Sequence, residues 1–342
     1  MEIVYNEGQL ASYAESAPPI LPDAPLLVDK YLRGLEIEVD AIFDGEDILV
    51  PGIFEHIERA GIHSGDSISV YPTQTIDEDM EGRIVSVTAA IAKELGIRGL
   101  INIQFVLHDG QLYIIEANPR ASRTVPIIQK ATGINLVEAA TRIALGEKLR
   151  DMPFGIGLHP KTPYVVVKAP VFSFSKMRGV ETVLGPEMKS TGEVMGVADN
   201  FGEAFAKAQL SAGQVLPVKG TVFFSVNDRD KASVVELAWQ YVERGFQLVA
   251  THGTADVLER AGLVVERVHK VKEGRPNIVD LIKGDRIHLI VNTPHGQDTF
   301  FDEKAIRRAA VTQRIPTMTT MAAARAAAEG INATQRRAIS VS

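Results

Sequence analysis

The sequence contains no cysteine. Disulfides, thiolate nucleophiles and cysteine-ligated zinc are therefore excluded, and a reducing cytoplasm is compatible. Positive charge is not in excess either. The 36 Lys and Arg residues are outnumbered by 43 Asp and Glu, a net charge of −7, which argues against nonspecific nucleic-acid binding. No apolar run approaches the ~18 residues of a membrane span, and the acidic start MEIVYNEG has no signal-peptide pattern. A cytoplasmic protein with neither membrane nor nucleic-acid partner is expected. What is present is ordinary globular composition. At 342 residues, 45% of them hydrophobic and 23% charged, the chain is long enough for two or three domains.

A short strand and a helix are expected within residues 1–25, followed by the Pro- and Ala-rich SAPPILPDAP. LEIEVDAIFDG and EDILVPGIFEHI read as a strand pair with an Asp-Gly turn, and AGIHSGDSISVYP as a Gly-rich loop. Met80, Ile84, Val87, Ile91 and Leu95 share one helical face. From Lys219 the pattern becomes regular: VFFSV, QLVA and IHLIVN are each followed by a helix, and a last helix runs through TMAAARAAAEG. Strands alternating with helices imply a parallel sheet covered on both faces, with ligands at the carboxyl ends of its strands.

The richest local pattern is INIQFVLHDGQLYIIEANPRASRT, residues 101–124, a hairpin ending in a charged turn. A two-residue turn at Asp109-Gly110 mixes its faces. A three-residue loop over 109–111 sets Gln104 opposite Glu116 and Asn102 opposite Asn118, so we expect that register. Ile101, Ile103, Phe105, Leu107, Tyr113, Ile115 and Ala117 then form the apolar face. Gln104, Glu116 and Asn118 make an all-oxygen cluster of the kind Mg²⁺ takes, leaving positions for water and phosphate. Arg120 and Arg123 follow at once and suit anionic oxygens. The competing view is an ordinary hairpin with a solvated polar face.

QF…IEANPRASRT resembles the metal-binding end of an ATP-grasp domain. With LGPEMKSTGEVMG at 184–196, and with THGTA and KEGRPNIVDLI further on, nearly the whole chain resembles the C-terminal part of the carbamoyl phosphate synthase large subunit. The resemblance implies an α/β architecture: a partial ATP-grasp α+β domain, then a doubly wound parallel α/β domain like methylglyoxal synthase. The expected boundaries are 1–150 for the ATP-grasp part, 151–214 for its extension and connection, and 215–342 for the allosteric module. It implies ATP with Mg²⁺ or Mn²⁺ as cofactors, and phosphorylation of carbamate to carbamoyl phosphate for arginine and pyrimidine synthesis. Carried over residue by residue, Lys30 and Leu32 border the adenine and Glu36 accepts ribose hydroxyls. Gly61, Ile62, His63 and Ser64 touch the nucleotide. Gln104, Glu116 and Asn118 hold metal, and Arg120, supported by Arg123, stabilises oxyanion charge.

In the second half the resemblance implies a nucleotide effector pocket for UMP or IMP, formed by Ser225, Lys231, Thr251, Thr254, Lys270 and Asn292. Read from the residues, THGTA at 251–255 is either an anion site at a helix start or a plain threonine cap. Pro294 stands where some relatives carry threonine, which removes a hydroxyl. Glu58, Asp66 and Thr319 match an ornithine site of some bacterial relatives, but Ala169 replaces a further acid there, so ornithine activation is not expected. The expected partners are the N-terminal portion of the large subunit and a glutaminase small subunit, in an oligomeric enzyme. The expectation is that the chain begins inside the ATP-grasp domain and does not turn over alone. Two alternatives stand beside it: a noncatalytic regulatory module or split-gene subunit, and a free methylglyoxal synthase, which leaves NPRASRT and LGPEMKSTGEVMG unexplained.

Overall fold

The computed structural model describes residues 4, 6–16, 26–174, 184–293, 300–337 and 339. Pro294 and the loop at 17–25 lie outside these residues, as does most of the short strand expected at the N-terminus. The first part of the chain runs α1 (Glu7–Ser16), β1 (Leu35–Phe43), β2 (Ile48–Val50), β3 (Ile53–His56), β4 (Ser69–Tyr71), α2 (Glu78–Glu94), β5 (Gly99–His108), β6 (Gln111–Asn118), α3 (Val125–Thr132), α4 (Leu136–Ala144), β7 (Gly157–Leu158), β8 (Val165–Val171), β9 (Gly192–Ala198) and α5 (Phe201–Ser211). Its strands form one sheet in the order β6-β5-β1-β3-β4-β8-β9, with β2 on β1 and β7 on β2. The Gly-rich segment expected as a loop contains β4 and a short 3₁₀ turn at Ser64–Asp66.

β1 explains why this sheet has two unlike faces. Its acids Glu36, Glu38 and Asp40 recur every second residue, so they share one face, while Ile37, Val39 and Ala41 share the other. The apolar face continues into Ile101, Ile103 and Phe105 of β5 and packs under α2 through Ile84 and Ala92. That helix starts at Asp77, whose carboxylate accepts the Met80 amide at 2.8 Å, and carries Glu78, Asp79 and Glu81 in its first turn. A carboxylate there satisfies an otherwise unpaired amide and meets the positive end of the helix dipole.

The hairpin reaches the expected register at its polar end by a different route. Gln104 pairs with Glu116 and Asn102 with Asn118, but His108 pairs with Gln111 around a two-residue turn. Asp109 and Gly110 both take positive φ, 49° and 73°, which a tight hairpin of this hand requires. The extra residue is absorbed by a bulge between the Gln104 and Phe105 rungs, which leaves Ile115 unmatched. Tyr113 and Ile115, expected on the core face, are exposed on the edge strand β6. Ile115 sits at the bulge and Tyr113 beyond it, on a strand paired along one side only.

The second part runs β10 (Gly220–Val226), α6 (Lys231–Glu243), β11 (Phe246–Thr251), α7 (His252–Arg260), β12 (Val265–Val268), α8 (Ile278–Lys283), β13 (Leu289–Thr293), α9 (Phe300–Gln313), β14 (Thr317–Met318) and α10 (Met321–Arg336). The five strands are parallel, in the order β12-β11-β10-β13-β14, with core clusters on both faces. The order reverses between β10 and β13, which opens a crevice at their carboxyl ends.

The two parts share a core. Val70, Val167 and Phe205 belong to the same buried cluster as Phe224, Leu237, Tyr241, Ala324 and Ala327. The final helix α10 closes it from both sides. Tyr241 donates its hydroxyl to the Ala324 carbonyl at 2.8 Å, and Thr320 donates to the Ile57 carbonyl at 2.9 Å. Small residues permit the close approach of α5 and α10: a Cβ on Gly202 would sit 2.8 Å from the backbone of Glu329.

Candidate nucleotide and metal site

Three strands bring the polar residues into rungs. Across β1, β5 and β6 the rungs are Glu38–Gln104–Glu116 and Asp40–Asn102–Asn118. One oxygen of Glu116 accepts from Gln104 Nε2 at 3.1 Å and from Asn118 Nδ2 at 2.8 Å. These three residues lie at the accessible rim, where a cation would meet one carboxylate and two carboxamide oxygens once the amides rotate. That hard donor set fits Mg²⁺ or Mn²⁺ with water and phosphate filling the remaining positions. Asn102, on the same face, is buried and committed to Glu38 at 3.0 Å and Asp40 at 3.2 Å, so it supports the cluster from below.

Below the rim lies a buried polar layer that sequence reasoning missed. His56 Nε2 stands 3.3 Å from Glu38, and His56 Nδ1 is 3.7 Å from Glu36. Lys168 is fully buried and donates to the Ser64 carbonyl at 2.8 Å. Asp40 accepts from the hydroxyls of Ser122 (2.6 Å) and Thr124 and is pushed above its ordinary range, by burial first and by Glu38 second. Burial pushes Glu38 upward as well, but His56 and Lys168 together hold it well below the usual carboxylate range. The signal for this layer was the strict alternation of acids at 36, 38 and 40.

Of the expected nucleotide contacts, Glu36 is 2% exposed and one of its carboxylate oxygens has no hydrogen-bond partner. Burial raises its pKa, with the neighbouring Glu38 and Glu116 adding to the rise and His56 opposing it. Ser64 accepts from Gln104 Nε2 at 3.1 Å, tying the 61–64 loop to the metal cluster. His63 Nδ1 accepts the Gly65 amide at 3.0 Å, so that nitrogen serves the loop itself. Lys30 is exposed and Leu32 half-buried on an irregular strip. The strip is pinned by Tyr31, whose hydroxyl donates to the Ala60 carbonyl at 2.8 Å.

The two arginines separate. Arg120 is exposed, and among the described residues its side chain donates to the neighbouring Ala121 carbonyl, at 3.0 Å. Arg123 is engaged by the 184–196 segment through Glu193 at 2.6 Å and Ser190 at 2.9 Å, which makes it a holder of that segment. Asp66 is also internal: its two oxygens accept the amides of Lys189 and Ser190, each at 2.8 Å. Glu58 accepts the Ile68 amide at 2.6 Å, and burial raises its carboxyl to about 7. Ala169 is buried beside Lys168, and Thr319 is half-buried just before α10. Asp66 and Glu58 thus both hold backbone, whereas the ornithine correspondence assigned them to a ligand.

In the second sheet the expected effector residues collect at the crevice. Ser225 is in register with Asn292 at the ends of β10 and β13, and Thr251 ends β11. Thr251 occupies the cap position of α7, yet its hydroxyl donates to Ser225 at 3.3 Å and caps nothing. The first amides of α7 are therefore left without that side-chain partner, which favours an anion site over a plain threonine cap. Thr254 is buried and its hydroxyl accepts the Val226 amide at 3.2 Å. Lys231 reaches the same loop: a Cβ on Gly253 would meet its Nζ at 3.2 Å. It also pairs with Asp228 at 2.5 Å. Lys270 follows the end of β12 and lowers the Asp228 carboxyl, after the larger effect of Lys231. Asn227 and Thr293, which sequence reasoning passed over, knit the crevice floor through contacts of 3.1–3.2 Å.

Residues 1–152 match the family model described as carbamoyl-phosphate synthase L chain, ATP binding domain, and residues 233–319 match the MGS-like domain. The chain is 56% identical to a carbamoyl phosphate synthase large chain of Acidobacterium capsulatum, covering all of this chain and 32% of that one. It is 48% identical to a protein of Methanopyrus kandleri named as the C-terminal section of the large chain, covering all of this chain and 64% of that one. The chain thus spans about a third of its full-length relatives. Among solved structures, the biotin carboxylase domain of a single-chain bacterial carboxylase superposes with a TM-score of 0.46 at 20% identity, over 63% of this chain and 52% of that one. The fold is a mostly antiparallel α+β part, which contains the ATP-binding-domain match, followed by a parallel α/β part, which contains the MGS-like match.

Proposed function

Since this chain is homologous over its whole length to the C-terminal part of carbamoyl phosphate synthase large chains, we propose that it supplies the metal-binding end of a carbamate-phosphorylating site and a nucleotide-sensing module. The observation that carries the first half is the Gln104–Glu116–Asn118 cluster, closed onto Ser64 of the neighbouring loop. Transfer of a phosphoryl group spreads negative charge over its oxygens, so the protein's task is positioning and neutralisation. A bound Mg²⁺ would supply positive charge to neutralise the phosphoryl oxygens. Glu116, with Gln104 and Asn118, would hold the cation. Arg120, free of any carboxylate partner among the described residues, faces the developing oxyanion. Glu36 accepts a ribose hydroxyl through its unpaired oxygen, and the strip of Lys30 and Leu32 borders the base. Gly61, Ile62, His63 and Ser64 follow the nucleotide on the other side.

The rest of the active site, and the ammonia supply from a glutaminase subunit, come from the remaining large-chain sequence and its partner. The product feeds arginine and pyrimidine synthesis. In the second half a nucleoside monophosphate, UMP or IMP, places its phosphate at the α7 amides between Thr251, Thr254, Lys231 and Lys270, with Ser225 and Asn292 on the floor.

The test of the catalytic half is Glu116→Ala in the assembled enzyme. Removing the rim carboxylate lowers the rate of carbamoyl phosphate formation by about 10²-fold or more. Near-normal turnover would overturn the assignment.

A further inference from the structure

The loop around α7 contains a group of side chains that neither the phosphoryl-transfer site nor the phosphate pocket uses. His252 Nε2 and His269 Nδ1 face each other at 3.3 Å, their rings inclined at 61°. One ligand atom from each of His252, His269 and Glu273 lies within 4.8 Å of the other two. These are three metal-ligating side chains from separate turns of chain: the start of α7, the residue after β12, and the turn that follows.

The spacing is that of metal ligands. Zn²⁺ binds imidazole nitrogen at about 2.0–2.1 Å in tetrahedral sites, which puts two ligand nitrogens about 3.3–3.4 Å apart. The observed 3.3 Å matches. Without metal the same distance serves a shared N–H···N hydrogen bond; a bound metal would take the place of that proton, with both lone pairs turned toward it. The backbone around it is fixed. Glu273 Oε2 accepts the Lys270 amide at 3.0 Å, and the Glu273 amide donates to the Lys270 carbonyl at 3.1 Å, which leaves Oε1 available. His269 is anchored by a bridge to Asn277. Glu273 is exposed, so its side chain is free to turn toward the two imidazoles.

We propose that His252, His269 and Glu273 form a binding site for a divalent transition metal of the zinc class. Two imidazoles and a carboxylate leave at least one position open for water or an anion. The site borders Thr251 and Lys270, so a metal bound there touches the same loop as the effector phosphate. It stands on its own observation and does not depend on the carbamate-phosphorylating reading.

The experiment uses the full chain without an added histidine tag. Zn²⁺ is titrated calorimetrically, and Co²⁺ is followed by its visible absorption. Expected are one equivalent of Zn²⁺, proton release on binding and weakening as the buffer is acidified, and an intense Co²⁺ band of four-coordinate imidazole ligation. His269→Gln and Glu273→Gln each weaken binding at least about tenfold, while His108→Gln, in the first half of the chain, leaves it unchanged. No saturable binding, or Zn²⁺ affinity equal in the parent and in both His252→Gln and His269→Gln, overturns the proposal. The Co²⁺ spectrum of the unaltered chain decides the matter should a variant fail to fold: a weak octahedral spectrum alone refutes it.

Discussion

Glu58→Gln provides a quantitative test of the buried layer. The Glu58 carboxyl stands at about 7 in the folded chain against an ordinary 4.5, because burial outweighs the Ile68 amide and the attraction of His56 and Lys168. A raised carboxyl means the folded state holds its proton where the unfolded chain has lost it. Stability from this group is therefore full below pH 4.5, falls as pH rises through the window to about 7, and is lost above it. At about 1.36 kcal/mol per unit, the full shift is worth roughly 3 kcal/mol, and the window from pH 5 to pH 8 contains most of it. The side chain is half-buried, so water screens part of the effect, and on the order of 1–2 kcal/mol is expected. Glutamine keeps an oxygen for the Ile68 amide and cannot ionise. Denaturant unfolding of parent and Glu58→Gln at both pH values isolates the group and the charges coupled to it, since titrations of groups remote from Glu58 cancel between the two proteins. The variant gains relative stability from pH 5 to pH 8 by that amount. A difference that stays constant with pH, or that grows in the parent's favour, refutes a carboxyl held neutral by burial.

Three further outcomes are expected. Gly202→Ala places a methyl 2.8 Å from the Glu329 backbone and forces α5 and α10 apart, a loss of about 1–3 kcal/mol in the unfolding free energy; an unchanged midpoint would show that the two helices yield freely. Asp66→Ala leaves the Lys189 and Ser190 amides without their acceptors, at a cost of about 2–4 kcal/mol, and proteolysis within 184–196 accelerates; equal cleavage rates would place the anchor elsewhere. Lys270→Ala weakens calorimetric binding of UMP and IMP, more at low salt than at high, because the charge is then less screened; affinity indifferent to the substitution removes Lys270 from the pocket.

Much of the candidate site was legible because strands write their faces into the sequence with a period of two. Gln104, Glu116 and Asn118 could be sorted to one face; the same period runs through Glu36, Glu38 and Asp40, but the buried layer they build with His56 and Lys168 was passed over because burial is not written in the period. The alternating elements after Lys219 likewise implied the parallel sheet whose strand ends gather Ser225, Thr251 and Asn292. Periodicity could not reveal the bulge that leaves Ile115 unmatched, because a bulge and a longer turn restore the same downstream register. Nor could it show that β6 is an edge strand, so that apolar Tyr113 and Ile115 face outward.

The sequence by itself determined the side-chain chemistry on offer: the oxygens of Gln104, Glu116 and Asn118 on one strand face, the threonines at the start of α7, and the absence of thiols. Contacts between residues far apart in the chain were decided only by tertiary structure. Asp66 closes onto Ser190 and Arg123 onto Glu193, contacts that no local pattern announces. His252 meets His269 across a parallel strand pair, and α10 returns to complete a core begun by Val70 and Val167. Side-chain type is a local property of the chain, whereas burial and partnership depend on which distant segments pack together.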